Sequence, residues 1–92
     1  MPKYYPFKIA DHYLYFTSAC IVEAMHVHAS DRKLTEANSA KLFVRADGSS
    51  DLRKRGDLTD KQINTIMKFI KENYMDMYRM WKDYGGQGFF RG

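Results

Sequence analysis

Cysteine is nearly absent. Cys20 is the only one in 92 residues, which excludes an internal disulfide and any zinc site built from several cysteines, and makes a reducing cytoplasm the expected compartment. Long apolar runs are missing as well. The longest apolar-leaning stretch, Ala19 to Met25, contains Glu23 and falls far short of the ~20 residues that cross a bilayer. The opening Met1-Pro2-Lys3-Tyr4-Tyr5-Pro6 has no unbroken apolar segment, so neither a signal peptide nor membrane association is expected. Internal repeats and low-complexity tracts are lacking too, and the length suits a single domain spanning residues 1–92.

Large side chains are what the chain has in quantity. Apolar residues make up 45% and aromatics 15%, enough for a globular fold with a real but thin core. The net charge of +4 is unevenly placed. Lys3 and Lys8 balance Asp11 and Glu23 through residue 30, so the basic excess lies later in the chain. A mild excess of this kind permits contact with nucleic acid or an acidic partner.

Local patterns predict the elements. Phe7 to Ala10 is a candidate strand that turns at Asp11-His12 into Tyr13 to Thr17, where aromatics favour extended backbone. Ser18 to Ala24 reads as a loop or one irregular helical turn, His26-Val27-His28 as a strand, and Ser30 to Ser39 as a polar, mobile loop. Lys41 to Arg45 alternates polar and apolar and ends at the turn signal Asp47-Gly48, after which Ser50 to Leu52 returns as a short strand. The basic cluster Arg53-Lys54-Arg55 follows. Thr59 and Gln62 then form a capping box. Ile63, Ile66, Met67, Ile70, Tyr74, Met77, Trp81 and Tyr84 recur at helical spacing until Gly85-Gly86. A helix that long in so small a domain is expected to bend or break near Glu72-Asn73, and the tail's Phe89-Phe90 to fold back onto it. The fold class is α+β: a small, twisted antiparallel sheet of three to five strands packed on one long or bent C-terminal helix region.

Strand parity selects the working face. If Leu14, Phe16, Val27, Leu42 and Val44 turn toward the helix, then Tyr13, Tyr15, His26, His28, Lys41, Phe43 and Arg45 share the other side. Rings that stack bases and cations that track phosphates suit single-stranded nucleic acid. Alternatively, a second protomer, the Tyr4-Tyr5 segment or the Phe89-Phe90 tail covers this face. A protein partner, a homodimer and RNA are the expected contacts. His26 and His28 are also candidate zinc ligands, since alternate residues on a strand point the same way. The third ligand would come from His12, Cys20, Asp11 or Asp31, none at a diagnostic spacing. Cys20 has no Gly-rich elbow or partner spacing that would make it a nucleophile. As catalytic candidates, His26 and His28 would act in metal-free acid–base cleavage of RNA, with Lys41 or Arg45 steadying phosphate.

The run Glu23-Ala24-Met25-His26-Val27-His28, then Ala40-Lys41-Leu42-Phe43-Val44, Ile70-Lys71-Glu72-Asn73 and Trp81, resembles a small prokaryotic family, the domain of unknown function 4160. Its members typically read Pro-Pro-His-x-His at the first of these strands. The likeness runs from about Ile9 to Phe90. Ala24-Met25 stands where the family often has two prolines, and the polar loop after Ser30 is longer. The resemblance implies a compact α+β bacterial domain, often encoded beside another small protein and sometimes labelled toxin–antitoxin-like.

Overall fold

Short runs in which apolar and polar residues alternate produce four strands, and the long amphipathic stretch after them produces one helix. In the computed structural model, which describes residues 2–31 and 39–92, these are β1 (Tyr13–Tyr15), β2 (His26–Ser30), β3 (Ala40–Val44), β4 (Ser50–Lys54) and α1 (Asp60–Asp83). The strands pair antiparallel in the order β1-β2-β3-β4. The expected α+β class and sheet are therefore observed. Ser18 to Ala24 forms the single irregular turn anticipated, a 3-10 helix over Cys20–Val22. Most of the loop expected between Ser30 and Ser39, with its mobility, lies outside the described residues. β4 runs two residues past Leu52 and takes in Arg53 and Lys54, with a register shift opposite Lys41 and Leu42.

Phe7 to Ala10 is not a strand. Ala10 and Asp11 adopt φ of 50° and 64°, and Ile9 and His12 exchange backbone hydrogen bonds of 2.8 and 3.0 Å across them. Two consecutive left-handed residues reverse the chain at once, and the pairing across them stops at the single Ile9–His12 bridge. The segment beside β1 is instead Pro2 to Tyr4: Tyr4 N–H donates to the Leu14 carbonyl at 2.9 Å and Phe16 N–H to that of Pro2 at 3.1 Å.

The helix starts as its cap dictates. Thr59 Oγ1 accepts from Gln62 N–H at 3.2 Å, and Gln62 Oε1 accepts from Thr59 N–H at 3.0 Å. It then continues without a break through Glu72-Asn73 for 24 residues, against expectation. No proline or glycine lies within it, and the Asn73 amide stays in register by donating to the Phe69 carbonyl one turn back at 2.9 Å. Ile63, Ile66, Ile70, Met77 and Trp81 are buried along one stripe. Tyr84, expected to complete it, sits at the C-cap and is 58% exposed.

This stripe meets Leu14, Phe16, Val27, Ala29, Ala40, Leu42 and Val44 in one core, each large side chain contributing about 1.5–3 kcal/mol by leaving water. Trp81 is its largest fully buried member and packs edge-on against both Phe16 and His26, at centroid distances of 5.2 and 5.4 Å. Its indole N–H donates to the Gln87 carbonyl at 2.6 Å, which anchors the tail. Phe89 stacks on Tyr78 of the helix at 3.8 Å, whereas Phe90 goes to the sheet and stacks on Phe43 at 4.3 Å. Only the first of the two rings folds back as expected.

Two substitutions test these contacts. Trp81→Ala is expected to lower the unfolding free energy by about 3–5 kcal/mol, against roughly 5–15 kcal/mol for a whole domain; an unshifted urea midpoint would show that Trp81 is not the keystone of the core. At Gly56, φ is +59° and an added Cβ would lie 2.6 Å from the Ala40 nitrogen. Gly56→Ala should therefore destabilise by more than about 1 kcal/mol, read as a lowered melting temperature.

Candidate functional site

The register of β2 assembles the site. Tyr15 pairs with His28 and His28 with Lys41, while His26 pairs with Phe43 and Phe43 with Asp51. Directly opposed residues point to the same side, so these side chains do share the sheet face opposite Leu14, Val27 and Leu42, where Trp81 at the end of the helix still reaches His26. The face is nevertheless not one open surface. Tyr15 and His26 are fully buried and His28 is 2% exposed, whereas Tyr13, Lys41, Phe43 and Arg45 are half-buried and Arg53 is exposed.

Three kinds of cover account for the burial. Tyr15 stacks on the His28 ring at 5.6 Å, and Trp81 and Phe43 close on His26, both at 5.4 Å. Phe90 covers Phe43, so the chain's own tail supplies part of the lid that a second protomer was the alternative for. Cys20, from the 3-10 turn between β1 and β2, completes the enclosure. One donor atom each from Cys20, His26 and His28 lies within 4.8 Å of the others.

The bonds around this cluster orient its members. His26 Nδ1 lies 2.9 Å from the Ala24 carbonyl, and His28 Nδ1 lies 3.2 Å from that of Ala40 with Ser39 Oγ at 3.0 Å. Because a carbonyl only accepts, the Nδ1 atoms carry the protons and donate, which puts the lone pair of each neutral ring on Nε2. Cys20 Sγ accepts from Thr17 N–H at 3.3 Å and lies 3.2 Å from the Thr17 hydroxyl. Tyr4 donates to the His26 carbonyl at 2.9 Å; burial holds its hydroxyl well above the ordinary tyrosine pKa, with Cys20 adding to the effect, so it remains a neutral donor.

Of the four third-ligand candidates, the fold brings Cys20 to the histidine pair. His12 is elsewhere, its Nδ1 2.6 Å from the Ala10 carbonyl and its Nε2 3.1 Å from Asp57. Asp11, beside it in the left-handed turn, is exposed. Neither aspartate belongs to the cluster among the described residues. Both imidazoles are buried, and acid–base cleavage of RNA requires an imidazole to reach the proton it transfers.

The outer part of the face forms a rim of rings and cations. Arg45 and Arg53 lie over Phe90 at 5.5 and 5.0 Å, and Lys41 and Arg53 over Phe43 at 5.0 and 5.2 Å. Across the sheet, Lys3 and Lys8 lie 4.3 and 5.3 Å from the Tyr13 ring. Acids are present too: Asp51 pairs with Arg53 at 3.0 Å and Arg45 at 3.7 Å, and Glu23 pairs with Lys41 at 3.0 Å. Arg53 and Asp51 were not among the residues expected on this face, whereas Phe90 reaches it as the tail cover that was one of the alternatives. Extending the alternation of β4 through Lys54 would have placed Arg53 with Asp51, whereas the tail that delivers Phe90 carries no periodic signal. A surface groove of about 420 Å³ lined by Pro2, Ser18, Ile21 and Tyr84 lies apart from the rim residues and brings no cluster of ionisable groups.

The fold and site together define a small α+β domain with a sealed histidine–cysteine cluster under an aromatic and basic rim. A family model described as "Domain of unknown function (DUF4160)" matches residues 12–82, and the chain belongs to that family. No curated protein and no solved structure matches the chain. Among the described residues, no helix is long and apolar enough to cross a membrane.

The Glu23–Lys41 pair yields a pH test. Hydrogen bonds from Lys41 at 3.0 and 3.3 Å hold the Glu23 carboxyl below the ordinary glutamate value, aided by the Lys41 charge and opposed by partial burial. A depressed folded pKa contributes stability that is present above the unfolded value, near 4.3, and lost as pH falls through the folded one. In Lys41→Met the Glu23 titration, followed by carboxyl NMR, should move upward and most of that acid-range contribution should be lost. An unmoved midpoint would exclude Lys41 as the cause.

Proposed function

We propose that this chain is a cytoplasmic binding domain whose aromatic and basic rim holds a segment of single-stranded RNA. The observation that carries this reading is the arrangement of Arg45 and Arg53 over the stacked Phe43–Phe90 pair, with Lys41 beside it. Guanidinium planes and rings are sequence-tolerant platforms for bases, and the same cations neutralise phosphates. The rim stands on β3, β4 and the anchored tail, so it is positioned before any ligand arrives and less ordering entropy opposes binding.

The ion pairs with Asp51 and Glu23 set the terms of the interaction. A polyanion must displace these carboxylates from Arg45, Arg53 and Lys41, which makes binding modest and strongly dependent on salt. The imidazoles take no chemical part in this reading. His26 supports Phe43 from beneath by an edge contact at 5.4 Å.

Fluorescence anisotropy with a labelled single-stranded oligoribonucleotide tests it. Each phosphate contact should add about −0.7 to the slope of log affinity against log salt for a single strand. Arg45→Ala/Arg53→Ala should make that slope shallower by about 1.4 and weaken binding about tenfold or more at low salt, with the thermal transition retained. Absence of any binding by the native protein at ~50 mM salt, where phosphate contacts are strongest, would eliminate RNA as the ligand of this face.

A further inference from the structure

Beneath the rim, the Cys20, His26 and His28 cluster has the composition and setting of a metal centre. We propose that it binds one zinc ion through Cys20 Sγ and the Nε2 atoms of His26 and His28. This assignment is independent of the RNA reading.

Three features point to it. The first is convergence: a thiol and two imidazoles from the 3-10 turn and β2 place one donor each within 4.8 Å of one another. Around a tetrahedral zinc with bonds of about 2.0–2.3 Å, ligand atoms stand about 3.3–3.6 Å apart. Closing the remaining ~1 Å is within reach of small side-chain rotations. The second is the donor set. Sulfur and imidazole nitrogen without carboxylate or carbonyl oxygen favours zinc over calcium or magnesium.

The third feature is the support behind each donor. Metal-bound histidines commonly donate their second ring N–H to a carbonyl, which fixes the tautomer and aims the other nitrogen at the ion. Both rings have that arrangement, His26 through the Ala24 carbonyl at 2.9 Å and His28 through the Ala40 carbonyl at 3.2 Å. Thr17 N–H directed at Sγ at 3.3 Å stabilises developing thiolate charge in the same way. Binding releases the thiol proton to solvent as the Zn–S bond forms, and neutral imidazoles bind without proton loss, so affinity rises with pH.

Three protein donors leave one tetrahedral position to water or another small ligand. The ion would pin the turn carrying Cys20 onto the central strand, beneath Phe43. Its consequence for the fold is a clamp between the β1–β2 connection and β2.

Titrating the reduced full chain with cobalt(II), a spectroscopic stand-in for zinc, tests the site. One equivalent should produce visible tetrahedral ligand-field bands and a near-ultraviolet thiolate-to-cobalt band, both abolished by adding zinc, and zinc should raise the melting temperature. Cys20→Ser should lose the thiolate band. His12→Asn, away from the cluster, should retain both bands and the same stoichiometry. Failure of the folded native protein to take up cobalt or zinc overturns the proposal, whatever happens to the variants. So does an undiminished thiolate band in Cys20→Ser.

Discussion

The packing of Trp81 is the contact on which the rest depends. Its ring meets Phe16 and His26 edge-on and its N–H holds the Gln87 carbonyl. One side chain thereby joins the end of the helix, the residue that follows β1, the histidine strand and the tail. The tail in turn bonds to the sheet, with Gly88 accepting from Met25 N–H and Phe90 N–H donating to the Val44 carbonyl, both at 2.9 Å. In a chain with so thin a core, burying one large aromatic ring against several elements organises more structure than another strand pair would. Phe90 reaches Phe43 because this anchor sets where the tail begins its return.

Burial then divides the sheet face into two parts. Its inner part, Tyr15, His26, His28 and Cys20, is closed to solvent and suited to holding something small and internal. The outer part, where Lys41, Arg45 and Arg53 surround Phe43 and Phe90, is suited to holding something extended and external. The two parts share Phe43 and His26 as a wall. The pairing of Arg45 and Arg53 with Asp51, and of Lys41 with Glu23, keeps the side chains ordered at the rim while diluting the basic field that a partner senses.

Family membership covers residues 12–82, a span that contains the whole cluster and most of the rim but not Phe90. The histidine–cysteine cluster and the cations of the rim therefore differ in how far they depend on the tail: the first stands on β2 and the turn before it, the second lean on a ring delivered from beyond the matched segment. That difference follows from topology, since β2 is central and paired on both edges whereas the tail is held by a few bonds and two ring stacks.

Periodicity by itself determined the fold class, the helix with its capping box, the burial of Trp81 and the parity that gathers Tyr15, His26, His28, Lys41 and Phe43 on one side of the sheet. These are local properties, set by the spacing of apolar residues and by the geometry of strand and helix. Only the tertiary structure decided that the gathered histidines are buried rather than displayed, that Cys20 and not His12 joins them, and that Arg53 and Phe90 complete the rim. Each of those outcomes depends on where an aperiodic segment travels: the connection carrying Cys20, the left-handed turn at Ala10-Asp11 that takes His12 to Asp57, and the tail beyond Gly86. Such paths are chosen by packing against the finished sheet, and no short-range pattern encodes them.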